Sequence, residues 1–284
     1  MTQADRGEMP VPRTAGGQAG LAAIRSEPGT ALVAMDFDGT LSPIVADPQA
    51  AYAHPGAAPA LRELSGRVGT LAVITGRPAL EAVALGGFGE VPGLIVLGHY
   101  GMERWQDGEL SSPPPPPGVE MARARLPGVL ADAGAAEGTR IEDKGSALAV
   151  HTRGTADPEG ALAGLREPLA GLAAAAGLVV EPGRLVIELR PPGMDKGAAL
   201  TALAAERKSG AVMFAGDDLG DLAAFAAVRT LRAAGHPGLT VCSASGEVTE
   251  LAAEADLVVA GPDGVVALLG SLARALPASP RPAR

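Results

Sequence analysis

The chain has 284 residues, enough for one large or two smaller domains with a substantial core. A net charge of −9 and an aromatic content of only 2% argue against a nucleic-acid surface, because phosphates are repelled and few rings can stack on bases. The single Cys242 excludes an internal disulfide and a cysteine-based zinc site, and no apolar run approaches the roughly 20 residues that cross a bilayer.

Residues 1–22 are polar and Gly-rich, and a disordered tail is expected there and again at 275–284. The first residues lack the apolar core of a signal peptide, and the chain has no Asn to glycosylate. A cytoplasmic protein without membrane or nucleic-acid partners is expected, and a monomer. Apolar runs then follow at 31–35, 71–74, 94–97, 211–215 and 257–260, alternating with helical patterns near 57–68, 78–85, 197–207 and 221–228. Strands buried on both faces and alternating with helices predict an α/β fold: a Rossmann-like parallel sheet covered on each side, built from 23–112 and 193–274.

The middle of the chain differs. The stretch SSPPPPPG at 111–118 is a stiff polyproline segment suited to a hinge or linker. Helical patterns at about 119–134 and 158–176 follow, with RIEDKGSALAVHTR between them and the strands LVVE and RLVIELR after them. In RLVIELR, Leu185, Ile187 and Leu189 share one face, and Val186, Glu188 and Arg190 share the other, as in a half-buried sheet. Residues 113–192 are therefore expected to form a small inserted α+β domain, with junctions near 108–118 and 190–194 as hinges.

In an open parallel sheet, ligands bind beyond the carboxyl ends of the strands. After ALVAM stands Asp36-Phe37-Asp38-Gly39-Thr40; after LAVI, Thr75-Gly76-Arg77; after AVMFA, Gly216-Asp217-Asp218-Leu219-Gly220-Asp221. Lys196, in GMDKGAAL, begins a helix just before the last of these. Acids in such number need a cation, and oxygen ligands without His or Cys favour Mg²⁺. A lysine and a helix N-terminus near the same point favour an anion, so phosphate with magnesium is the expected pairing. The chain has neither G-x-x-x-x-G-K-[ST] nor G-x-S-x-G, which leaves an aspartate as the expected nucleophile.

DFDGTL, ITGRP, the lysine of MDKG, and GDDLGD, in this order and each tied to its own apolar run or helix start, resemble the four motifs of the haloacid dehalogenase-like phosphatases. LSPIVADPQAA, GLIVLGHYGMERW, EDKGSALAVHTR and RLVIELRPPGMDKGAAL narrow the resemblance to the trehalose-6-phosphate phosphatase family, over most of residues 31–270. The resemblance implies hydrolysis of trehalose 6-phosphate, with Asp36 as nucleophile and Asp38 as general acid and then base. It implies Mg²⁺ held by Asp36, the Asp38 backbone and Asp217, with Asp218 or Asp221 acting through water. Thr75 and Lys196 would hold phosphate oxygens, Gly39 and Thr40 would form the phosphate turn, and Arg77 would either support its rim or pair with a surface acid. The insertion would be a cap that reads the sugar through Glu142, Lys144 and Glu188; on the pattern alone, a solvated salt bridge of Lys144 with Glu142 or Glu188 is the other reading. Alternatives are a phosphatase for sucrose phosphate or a glycosyl-glycerate phosphate, a phosphomutase, or a non-catalytic sugar-phosphate sensor. Thr75 stands where the family commonly has Ser, and His99-Tyr100 where a Glu-His pair is expected.

Overall fold

The computed structural model describes residues 9–45, 47–244 and 249–277. It divides the chain into two compact units, one of residues 1–111 with 195–284 and one of residues 112–194.

The larger unit is built on an eight-stranded sheet. Its strands are β1 (Ala31–Met35), β2 (Thr70–Ile74), β3 (Ile95–Gly98), β4 (Glu103–Gln106), β5 (Glu109–Ser111), β10 (Ala211–Gly216), β11 (Gly238–Ala244) and β12 (Leu257–Ala260), in the order β12-β11-β10-β1-β2-β3-β4-β5. The six from β12 to β3 are parallel; β4 and β5 add antiparallel at one edge. β1 and β2 are buried at every residue because both faces are covered. Val33 and Met35 face Leu61 and Leu64 of α2 (Ala57–Ser65) and Leu268 and Leu272 of α9 (Gly261–Ala275). Leu32 and Ala34 face Leu200 and Leu203 of α6 (Lys196–Glu206) and Phe225 of α7 (Leu222–Ala233). Alternate residues of one strand thus feed two cores, which is the physical meaning of a continuous apolar run.

The tail expected over 1–22 is corrected in part. Residues Ala15–Ser26 form helix α1, capped by the Thr14 hydroxyl, and Leu21 and Ile24 are buried on the sheet. The stripe of Gly17, Gly20, Leu21 and Ile24 carries only two large apolar side chains, so the pattern is faint. The tail expected at 275–284 is also corrected at its start, where Ala275 ends α9 and Leu276 is buried in the core. Residues 1–8 and 278–284 lie outside the described residues.

The smaller unit has a four-stranded antiparallel sheet of β6 (Arg140–Asp143), β7 (Leu148–His151), β8 (Val179–Gly183) and β9 (Val186–Arg190), in the order β6-β7-β9-β8. Helices α4 (Pro117–Asp132) and α5 (Pro158–Ala176) cover one face, closing a core of Leu126, Leu148, Val150, Leu165, Leu169, Ile187 and Leu189. α4 opens on the last proline of the run, where a missing N–H costs nothing. Leu185 does not extend the apolar face of β9: it sits in the β8–β9 turn at φ 62°.

Candidate active site

The acids gather where the parallel strands end. Asp36 directly follows β1, and its N–H donates to the Ala215 carbonyl of β10, so the sheet itself fixes its backbone. Gly39 turns the chain at φ 67°, and any side chain there would collide with the Asp217 carboxylate. The Thr40 hydroxyl reaches the same carboxylate at 3.4 Å. The buried Ser243 hydroxyl, from β11, donates to the Gly39 carbonyl at 2.7 Å and holds the turn from the other side.

Lys196 is the first residue of α6, whose N-cap is Asp195. Its buried Nζ lies 2.7 Å from Asp36 Oδ2, 2.8 Å from Asp221 Oδ1 and 4.0 Å from Asp218 Oδ1. Burial alone would lower the Lys196 ammonium, but Asp36, Asp221 and Asp218 overcome it and hold the group well above the ordinary lysine value. Burial pushes the Asp36 carboxyl well up; Lys196 opposes this, and Asp221 and Asp217 add to it. Burial, then Asp221 and Asp218, lift Asp217 to about 7 against Lys196 and Thr40. One ammonium is too little positive charge for this group of acids.

Among the described residues, Asp36, Asp217 and Asp221 place carboxylate oxygens within 4.8 Å of one another, all three buried. Those residues fit a divalent cation: the donors are oxygen only, and the carboxyls raised by burial and then by neighbouring acids are the groups a cation would return to the anionic form. The cluster takes Asp221 rather than the expected Asp218, whose side chain is 58% exposed. The reason lies in the turn after β10. Asp221 Oδ2 accepts the N–H groups of Asp217 (2.9 Å) and Asp218 (3.2 Å), which folds its side chain inward and leaves Asp218 outward.

Thr75 is buried at the end of β2, and its Oγ1 accepts the Arg77 N–H at 3.2 Å, so its own O–H points a proton elsewhere. Arg77, expected either at a phosphate rim or paired with an acid, is committed to two acids. Its Nε and Nη2 each lie 2.7 Å from an oxygen of Asp38, its Nη1 bonds Glu81, and its guanidinium lies over the Phe37 ring at 5.7 Å. The Asp38 side chain is therefore turned to Arg77, and only its backbone remains for the cation role expected of it.

In the smaller unit, Glu142, Ala149, Glu188 and Glu181 form one row across the four strands. Lys144 Nζ bonds Glu188 at 2.6 Å, and Glu142 pairs with His151 Nε2 at 2.7 Å. The three residues expected to read a sugar thus share the sheet face opposite the helices, with His151 beside them. Sequence reasoning missed Ser243 and His151. The signal for Ser243 was the hydroxyl at the end of LTVCS, had that stretch been read as a strand.

Solved structures share this architecture. Aspergillus fumigatus trehalose-6-phosphate phosphatase superposes with a TM-score of 0.69 at 23% identity, over 93% of this chain and 99% of that one. A haloacid dehalogenase-like hydrolase from Bacteroides thetaiotaomicron gives 0.61 at 18%, over 84% and 97%. The fold is that of the haloacid dehalogenase-like phosphatases with cap domains. Within that class, the trehalose-phosphatase family model matches residues 34–261, and the chain belongs to that family. Trehalose-phosphate phosphatase of Mycobacterium marinum is 33% identical over 86% of this chain and 62% of its own. An uncharacterized glycosyl hydrolase of Mycobacterium tuberculosis is 37% identical over 69% of this chain. This chain spans only 15% of that relative's length. No helix among the described residues is long and apolar enough to cross a membrane.

Proposed function

We propose that the chain is a magnesium-dependent phosphatase that hydrolyses trehalose 6-phosphate to trehalose and inorganic phosphate through an aspartyl-phosphate on Asp36. The observation that carries the reading is the contact of Lys196 Nζ with Asp36 Oδ2 at 2.7 Å inside a buried trio of acids. The carboxylate of the proposed nucleophile stands beside an ammonium at the carboxyl end of a central parallel strand, the place where such sheets bind ligands.

In the first half-reaction an Asp36 oxygen attacks phosphorus in line, the bond from phosphorus to the sugar oxygen breaks, and Asp38 gives that oxygen its proton. In the second, Asp38 takes a proton from water, the hydroxyl oxygen bonds phosphorus, and the acyl-phosphate bond breaks to restore Asp36. Arg77, through Nε and Nη2, fixes the position of the Asp38 carboxyl for both proton transfers. Thr75 donates its O–H to a phosphoryl oxygen, and Lys196 neutralises a second. Asp36, Asp217 and Asp221, with the Asp38 backbone carbonyl, would hold magnesium, which when bound would supply charge neutralisation at the phosphoryl group. Asp218 is assigned no ligand role.

The face bearing Glu142, Lys144 and Glu188 offers both acceptors and donors, which suits sugar hydroxyls. That supports a disaccharide phosphate over a bare aryl phosphate. The test is phosphate release from a panel of trehalose 6-phosphate, sucrose phosphate and glucosyl-glycerate phosphate, with magnesium and with chelator. Trehalose 6-phosphate is expected to lead, only with magnesium. Equal or better turnover of the other two overturns the substrate, and turnover in chelator overturns the metal.

A further inference from the structure

The connection from β3 to β4 is strained. His99 and Tyr100 are consecutive non-glycine residues at φ 46° and 57°. Left-handed backbone is unfavourable for a residue with a Cβ, so the surroundings must over-determine the pair. What they hold is the turn after β2. The His99 N–H donates to the Arg77 carbonyl and the Tyr100 N–H to the Thr75 carbonyl, both at 3.0 Å. Gly76, between them, has no room for a side chain: a Cβ would lie 2.7 Å from the Tyr100 hydroxyl.

The other end of the same turn is held by Glu103. Helix α3 (Ala79–Gly86) begins after Pro78, which has no side chain able to cap it. Glu103 Oε2 takes that role from β4, accepting the Ala79 N–H at 2.7 Å. Its other oxygen lies 3.7 Å from Nε2 of the buried His99. The close approach is required by Gly98, where any Cβ would collide with Ala79. One carboxylate therefore ties the strained loop to the segment that carries Thr75 and Arg77.

We propose that Glu103, supported by His99, is a positioning residue for phosphoryl transfer. By fixing the Ala79 end of a turn whose Thr75 and Arg77 carbonyls are held by the Tyr100 and His99 N–H groups, it sets the Thr75 hydroxyl and, through Arg77, the carboxylate of Asp38. Glu103 touches no reacting atom itself. The inference rests on the reading of Asp36, Asp38 and Thr75 as a phosphoryl-transfer centre.

The experiment compares Glu103→Ala and Glu103→Gln with the parent chain in magnesium. It measures kcat and KM for phosphate release from p-nitrophenyl phosphate, inhibition by inorganic phosphate, and Tm. Glu103→Ala is expected to lower kcat about tenfold and to weaken phosphate inhibition several-fold. Glu103→Gln, which keeps an acceptor for the Ala79 N–H, is expected to recover most of both. A variant that loses Tm while kcat and phosphate inhibition stay at parent values overturns the inference. If Glu103→Ala does not fold, Glu103→Gln decides alone: kcat within a factor of two to three of the parent supports the inference, and a loss as deep as a tenfold one overturns it. A parent chain that releases no phosphate overturns the functional reading instead, and does so before any variant is compared.

Discussion

Arg77 grips both oxygens of Asp38, each at 2.7 Å, while a third nitrogen holds Glu81 one helical turn further on. Such a fork matches a carboxylate in two dimensions, and an ammonium cannot reproduce it. Arg77→Lys should therefore leave the fold intact and lower kcat for a sugar phosphate by about tenfold or more. The loss should be smaller for p-nitrophenyl phosphate, whose leaving group departs without a proton. Steady-state kinetics on both substrates check this, and equal losses would remove Asp38 from the acid role.

Cation binding at the Asp36–Asp217–Asp221 cluster should depend on pH through Asp217. Its carboxyl is lifted from the ordinary 3.8 to about 7, chiefly by burial. In the fold it keeps a proton that the unfolded chain has already lost, so it costs stability as pH rises from 3.8 to about 7. A divalent ion binds the anion and reverses that cost. Magnesium should raise Tm by a few degrees at about pH 8 and by less at about pH 5.5. Asp217→Asn should abolish most of the difference, as read by thermal unfolding with and without chelator.

Glu188 faces Lys144 at 2.6 Å on the polar face of the smaller unit. If this pair reads sugar hydroxyls, Glu188→Ala should raise KM for trehalose 6-phosphate about tenfold, the order expected when a charged hydrogen-bond partner is lost. Turnover of p-nitrophenyl phosphate, which presents no sugar, should stay within a factor of two to three of the parent. Parallel assays on the two substrates separate sugar reading from a general loss of function.

Asp256 fastens the N-terminal segment to the sheet edge. Its carboxylate accepts from the Thr240 amide and hydroxyl at 2.8 Å each, from Arg232 and from Thr14, while its backbone carbonyl accepts the Arg13 N–H at 2.7 Å. Burial opposes its ionisation, but hydrogen bonds from Arg232, Thr14 and Thr240 overcome it and lower its pKa. The stability this gives is fully present above 3.8 and is lost as pH falls through the lower folded value. Asp256→Asn should cost about 2–3 kcal/mol at neutral pH, since Arg232 loses its counter-charge. It should also flatten the acid limb of the stability curve, measured by urea titration.

The parts of this molecule legible in its sequence are those whose cause is local. ALVAM and AVMFA are apolar at every position because β1 and β10 are covered on both faces, and the acids that follow them mark the strand ends. β11 escaped notice because GLTVCSA mixes small and polar residues, and Pro237 just before it reads as a turn. The inward side chain of Asp221 rather than Asp218 depends on two backbone amides in a tight turn, which spacing does not reveal. Ser243 holds the Gly39 carbonyl across 204 positions, and Glu103 caps a helix 24 residues before it. Neither leaves a local trace, because each bond is made by the topology and not by the residues beside it.

The strand order has a consequence for the chain as it is synthesised. β1 lies between β2 and β10, so the strand carrying Asp36 has one bare edge until residues 211–216 arrive. A ribosome-bound fragment that stops short of them holds Asp36 but not the Asp217 and Asp221 groups around it in the complete fold. Pairing across so long a separation is slow to close, and the half-made sheet exposes an edge onto which another chain can add. Arrested fragments ending between residues 112 and 210 should therefore be the ones that chaperones capture most avidly.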